Sequence, residues 1–275
     1  MLKALNLRLR IGIVLLILFT LMGFVLPWFA SIDPRTWNSF PRNLPASWLH
    51  PLGTTSLGQD VFWFLSWAIR NSLLLGIIVA VCGNVIGVIL GLTAGFRGGF
   101  TDRVLTMLMD TLIIIPSLPI LILLSSLLQG RGTLTVIGVV LIIFTWPWPA
   151  RQARAVALSM RERDFINTAW YSGEGGFKII TREIYPYITG WAFTSLMNGV
   201  LAAIGAESGL AIIGLSSLTD ATLGTMIYWA IQRQALLSGR WLWIGSPVIA
   251  MILLFIGLFL TSTGYQNYSA KRRGR

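Results

Sequence analysis

Residues 161–190 read RERDFINTAWYSGEGGFKIITREIYPYITG, a polar, charged stretch set in a chain that is otherwise greasy. The stretch keeps a helical rhythm on either side of Gly173. Arg163 to Ser172 can form a short helix with Phe165, Ala169 and Ser172 on one face and Ile166 and Trp170 beside them. Gly173 can take the left-handed conformation that ends a helix. Gly175 and Gly176 loosen the chain after it, Phe177 to Tyr185 can be helical again, and Pro186 kinks the exit. A semi-structured polar segment between apolar runs is a surface offered to something in water. The bland alternative is an amphipathic helix resting on the inner leaflet. Its acids, Glu162, Asp164 and Glu174, count against that alternative because the leaflet is itself negative.

The rest of the chain is read outward from there. Hydrophobic residues make up 55% of the 275 and charged residues only 11%; the mean hydropathy is +0.74. A soluble domain carries roughly a quarter of its residues charged, so this is an all-α integral membrane protein. The single cysteine, Cys82, excludes an internal disulfide, and the single histidine, His50, leaves little for a histidine metal site.

Six spans are expected. Lys3, Arg8 and Arg10 precede an apolar run, Ile11 to Phe29, read as an uncleaved first span. Residues 30–60, with Pro34, Pro41, Pro45 and Pro51 and the interfacial Trp28, Trp37 and Trp48, form an external loop lying against the membrane. Asp60 can cap a short aromatic surface helix, Val61 to Ile69. The second span runs from about Asn71 to Phe96. In it Gly83, Gly87, Gly91 and Gly95 fall on one helical stripe, for close packing within this subunit or against a partner. A turn at 97–103 leads to the third span, Val104 to Leu128, kinked by Pro116 and Pro119. A turn at 129–133 leads to the fourth, Leu134 to Ala150, which ends in an interfacial Trp146-Pro-Trp-Pro149 cluster. The fifth span, Gly190 to Leu215, and the sixth, Trp241 to Gly264, flank a mixed loop at 216–240 holding Tyr228 and Trp229. A basic tail closes the chain.

Six spans put both termini on one side. Of the 21 Lys and Arg residues, 15 then fall with the termini, the 97–103 turn and residues 151–182, and six fall opposite. Basic residues accumulate in cytoplasmic loops, so the termini and residues 161–190 are cytoplasmic. The same distribution explains the net charge of +11 without nucleic acid.

No catalytic set is present. There is no G-x-x-x-x-G-K-[ST] phosphate loop, so the chain has no visible ATP site of its own. There is no His-Glu-x-x-His pattern, and Ser208-Gly209 beside Glu207 is not a nucleophile elbow. Two acids lie within spans. Asp110, near the start of the third, can reach the cytoplasmic interface. Glu207, deep in the fifth, must face protein or water, either lining a pathway or making a buried structural hydrogen bond.

The 161–190 stretch resembles the E-A-A-x-x-x-G loop of ABC-transporter permease subunits. Asn167-Thr-Ala169 stands where that family has Glu-Ala-Ala, Gly173 stands at its glycine, and Pro186 matches the proline after the loop. Other stretches are similar to the peptide/nickel, dipeptide-permease C-like branch. They are His50-Pro-Leu-Gly-Thr-Thr-Ser-Leu-Gly-Gln-Asp60, with Thr55 and Gln59 for its usual Asp and Arg, and Gly91-Leu-Thr-Ala-Gly-Phe-Arg-Gly-Gly99. Asp110 with Pro116, and Glu207 through Leu215, also fit its pattern. The resemblance covers residues 9–266 or so and implies a type I ABC importer fold. It divides the chain into an N-terminal span and external loop (1–70), a permease domain with its coupling loop (71–266, loop 161–190) and a basic cytoplasmic tail (267–275). It implies a bacterial or archaeal multi-pass cell-membrane protein that is not an enzyme. Its partners would be a second permease, two cytosolic ATPases holding the ATP and Mg, and an external solute-binding protein. Phe165, Asn167, Ala169 and Gly173 would seat in the ATPase groove. The solute would be a di- or oligopeptide, a nickel chelate or an oligosaccharide. A secondary carrier or channel working without an ATPase is the alternative.

Overall fold

The computed structural model describes residues 6–30, 32–127 and 134–273. The turn expected at 129–133 lies outside them. Eleven α-helices and no strand are present among the described residues. Five helices or helix pairs are long and apolar enough to cross a membrane, and a bent pair makes a sixth.

Helix α1, Leu7–Phe24, ends in a 3-10 turn at Leu26–Phe29, where Pro27 sits in the first turn and needs no backbone donor. Its partner is α11, Trp241–Arg273. They cross on small residues. The Cα of Gly12 faces Thr261, that of Gly264 faces Leu9, and that of Gly257 faces Leu15, so the start of α1 lies beside the end of α11.

The central element is α2, Val61–Arg97, 37 residues in one helix. The separate surface helix expected at Val61–Ile69 is not separate. Nothing between Ile69 and Gly76 breaks a helix, and Arg70 lays its guanidinium 4.9 Å from the Trp67 ring centre instead of ending the turn. The expected 1–70 boundary thus falls inside a continuous helix. Asp60 caps α2 as expected, accepting from the Phe62 and Trp63 amides at 2.8 and 3.2 Å. Its other oxygen is 2.6 Å from His50 Nδ1, and both side chains are buried. The loop before α2 is therefore tied to the helix it precedes.

The expected turn at 97–103 shrinks to Gly98, whose φ of 66° reverses the chain, and α3 begins at once, Gly99–Ile114. The kink expected at Pro116 is a full break: α3 and α4 (Ser117–Leu127) meet at 74°. Pro119 is harmless in the first turn of α4.

The fourth span also differs. It consists of α5, Leu134–Thr145, and α6, Pro147–Met160, and runs ten residues past the expected end. Trp146, Pro147 and Pro149 are buried at the joint rather than lying at an interface; Trp148 alone is well exposed. The prolines restart the helix, since a proline at the first helical positions removes no intrahelical bond.

After α6 come α7 (Asp164–Tyr171), α8 (Gly176–Ile179), a π-helical turn (Ile180–Ile184) and α9, Tyr185–Ile212. The mixed loop holds α10, Leu223–Gln232, started by a reciprocal Thr222–Thr225 capping box and packed on α9 and α11. Helix α2 packs on α6, α9, α5 and α1, so the bundle is built around it.

Candidate coupling surface

The polar stretch folds as a helix, a turn and a wider helical entry into α9. Helix α7 closes through Gly173, at φ +81°. The Gly173 amide donates to the Trp170 carbonyl at 3.0 Å and the Glu174 amide to the Ala169 carbonyl at 3.1 Å. These are the two bonds of a Schellman turn, which satisfies the last carbonyls of a helix and favours glycine at this position. At Pro186 there is no donor for a normal fourth-residue bond. The chain there winds more widely, with the Tyr185 amide reaching the Ile180 carbonyl.

The apolar side of this segment fastens it to the bundle. Ile166, Ile179, Ile184 and Ile188 are buried in one cluster with Val88 and Leu92 of α2 and Ala153 and Ala157 of α6. Trp170 stacks on Phe96, the last aromatic of α2, at 5.8 Å and 4°. Phe165 stacks on Tyr187 at 5.9 Å. The helix keeps Phe165, Ala169 and Ser172 in the expected register, but that stripe is not the buried one. The buried line is Ile166 with Ala169, so Ala169 faces the bundle. Asn167 and Gly173 face outward, and Phe165 is partly covered. Two further aromatics, not expected at this surface, stand out: Tyr171 is 92% exposed and Phe177 82%. Both fall opposite the isoleucines in the helical rhythm, so their exposure follows once the isoleucine side is covered by α2 and α6.

Two ion pairs lock α3 to α6, the helix that leads into α7. Arg154 grips Asp102 bidentately, Nε to Oδ1 at 2.5 Å and Nη2 to Oδ2 at 2.8 Å. Arg151 meets Asp110 at 3.1 Å. Asp110 thus faces a partner on α6. Asp102 went unnoticed because it lay in an expected turn.

The glycine stripe lies against the same helix. A Cβ built on Gly87 would lie 2.5 Å from the Trp146 carbonyl, and one on Gly95 2.6 Å from that of Arg154. At Gly91 it would run into the Ala150 carbonyl, while at Gly83 its nearest neighbours would be the Thr145 methyl and Cβ at 3.1 and 3.2 Å. The stripe is filled from within the chain, and it brings α2 and α6 into backbone contact.

Glu207 is fully buried. Its Oε1 accepts from Ser216 Oγ and Thr222 Oγ1, each at 2.9 Å. Thr222 is the cap of α10, so this acid ties α9 to the segment after it. It is not among the residues that line the cleft between α2, α5, α6 and α9.

A sequence profile of the binding-protein-dependent transport system inner membrane component family matches residues 87–275. The chain belongs to this family. The permease is 28% identical to an oligopeptide transport system permease protein, OppC, of Mycobacterium bovis over 238 residues, covering 86% of this chain and 80% of that one. It is 29% identical to the OppC of Lactococcus lactis subsp. cremoris over 212 residues, 77% and 72% of the two chains. A putative peptide transport system permease of Brucella suis matches at 28% over 259 residues, 94% and 86%. In fold it is similar to a chain of the inward-facing MetNI methionine ABC transporter, with a TM-score of 0.59 at 16% identity, covering 76% of this chain and 96% of that one. It is therefore a multi-pass cell-membrane permease subunit of an ATP-driven ABC importer, with ATP hydrolysis on a separate subunit. The reading as a carrier or channel working without an ATPase finds no support in these likenesses.

Proposed function

We propose that the permease forms half of the translocation pathway of a peptide importer and couples through α7 to a cytosolic ATPase. A second permease completes the pathway, two ATPases hold the ATP and Mg, and an external binding protein delivers the solute. The peptide assignment rests on the names of its relatives. One observation carries the coupling role. Helix α7 is fastened by its isoleucine side, yet presents Asn167, Tyr171 and Gly173 outward, directly after a helix clamped into the bundle. A push on that outer face moves α6 and α9 together.

The fitting test is Tyr171→Asp. At 92% exposure the tyrosine contributes little to the fold. A central aromatic anchor lost from an interface weakens binding by about 2 kcal/mol or more, roughly thirtyfold. Co-purification of the ATPase and binding-protein-stimulated ATP hydrolysis should both fall. Unchanged values for both refute docking on this face.

A further inference from the structure

A cavity of about 340 Å³ opens between α2, α5, α6 and α9, and a second of about 290 Å³ continues from it between α6, α9 and α11. They share Trp148, Pro149, Ser195 and Asn198, so together they form one groove along α9. The α3–α4 break borders it, because Ser117, the first residue after the 74° bend, lines the first cavity.

On α9 the lining residues Trp191, Ser195, Asn198, Ala202 and Ala206 recur every three or four positions and so share one face. Asn198 lies near the midpoint of α9 and is exposed. An amide at mid-membrane depth does not face hydrocarbon; it faces protein or a wet path. Its Oδ1 accepts from Ser262 Oγ on α11 at 3.2 Å, and no hydrogen bond among the described residues engages its Nδ2. Asn84, across the groove, donates through Nδ2 to the Ala192 carbonyl at 2.9 Å, while its Oδ1 has no hydrogen-bond partner among the described residues. The polar groups here are amides and hydroxyls. No Asp, Glu, Lys, Arg or His is among the described lining residues. Charge has been turned away: on α6, Arg151 and Arg154 face α3, while Gln152 faces the groove.

We propose that this groove is the solute-contact surface of the permease, and that Ser195 and Asn198 meet the amide backbone of a passing peptide. Small residues at 199, 202, 203 and 206 leave the room, and neutral donors and acceptors supply the contacts. A site of this chemistry hydrogen-bonds the part common to all peptides and offers no partner to a charged side chain. The peptide half of this inference rests on the function proposed above; the groove assignment does not.

The test uses the full complex with its ATPase and binding protein in proteoliposomes. Ser195→Cys in a Cys82→Ala background should react with a small hydrophilic thiol reagent in at least one nucleotide state. Ala202→Phe, which fills the cavity from an exposed position, should stop uptake of Ala-Ala-Ala. Asn198→Leu should slow it by about tenfold, the effect of one lost hydrogen bond. Ser195→Asp should shift the turnover ratio of Ala-Lys-Ala to Ala-Glu-Ala by about tenfold relative to wild type, through one new charge at close range. Taking that ratio cancels the preference of the binding protein. The groove assignment is overturned by an unreactive Ser195→Cys, by full uptake in both Ala202→Phe and Asn198→Leu, or by loss of the second permease from either variant, which makes the surface a packing interface. Failure of the wild-type complex to take up any of the three tripeptides, together with labelling of the Ser195→Cys variant, refutes the peptide reading and supports the wet groove.

Discussion

Placing alanine at each glycine of the α2 stripe gives four perturbations of one atom each, with outcomes ranked by the structure. Alanine is favoured over glycine within a helix by about 0.8–1.0 kcal/mol, so an unobstructed site gains. At Gly83 the new Cβ meets the Thr145 methyl and Cβ at 3.1 and 3.2 Å, a contact relieved by a shift of about a few tenths of an ångström. That variant should be close to neutral. At Gly95 and Gly87 the obstacles include the carbonyls of Arg154 and Trp146, at 2.6 and 2.5 Å. At Gly91 all three nearest atoms belong to the Ala150 backbone. Contact requires α2 and α6 to part there by on the order of 1 Å, which forfeits much of the dispersion energy along the seam. Overpacking of this kind costs about 1–3 kcal/mol. The expected order of thermal midpoints in detergent is therefore Gly83→Ala highest and Gly91→Ala lowest, with a gap of roughly 4–8 °C for about 2 kcal/mol. Ala150→Gly should not rescue Gly91→Ala, because the obstruction is main chain. Equal midpoints for Gly83→Ala and Gly91→Ala, or rescue by Ala150→Gly, would refute the close backbone crossing.

Single contacts elsewhere have their own consequences. Glu207→Gln keeps an Oε1 acceptor for Ser216 and Thr222, so uptake should stay near wild type, whereas Glu207→Leu strands the buried Ser216 hydroxyl, Thr222 keeping its bonds to Thr225, and should lower the unfolding free energy by about 1–3 kcal/mol. Loss of uptake in a well-folded Glu207→Gln protein would place this acid in the pathway instead. Arg154→Ala frees Asp102 from a half-buried bidentate pair and should cost about 1–2 kcal/mol in the same unfolding measurement; Arg154→Lys should recover little of it, because an ammonium cannot reproduce the fork. Asp60→Ala removes the cap of α2 and the partner of His50, at about 1 kcal/mol for the cap alone, and should speed proteolytic nicking between residues 32 and 59.

The elements legible in the sequence rest on local chemistry. Asp60 before an aromatic helix is a cap because its carboxylate reaches the next amides. Gly173 ends α7 because a left-handed residue is needed there. The stripe from Gly83 to Gly95 is a seam because four-residue spacing puts all four on one side. Errors came where local signals were read without neighbours. Arg70 and Asn71 looked like the end of a short helix, yet Asn71 donates to the Ala221 carbonyl and α2 runs on. Trp146-Pro-Trp-Pro149 looked interfacial, yet Trp146, Pro147 and Pro149 are buried at a joint against which Gly87 packs.

By itself the sequence determined the class of protein, the six apolar runs, the sidedness implied by its basic residues and the loop through which it resembles a permease. Composition and short-range spacing carry those, because hydrophobic length and helical period are properties of a single segment. Only the tertiary structure decided which neighbour each segment faces. It turned Ala169 inward and left Tyr171 out, because Ile166 and its fellow isoleucines found α2 and α6. It set Glu207 in a hydrogen-bond knot beneath α10 and placed the neutral Ser195 and Asn198 on the groove. The direction a side chain takes depends on which distant helix packs beside it, and no local pattern in residues 161–190 encodes that choice.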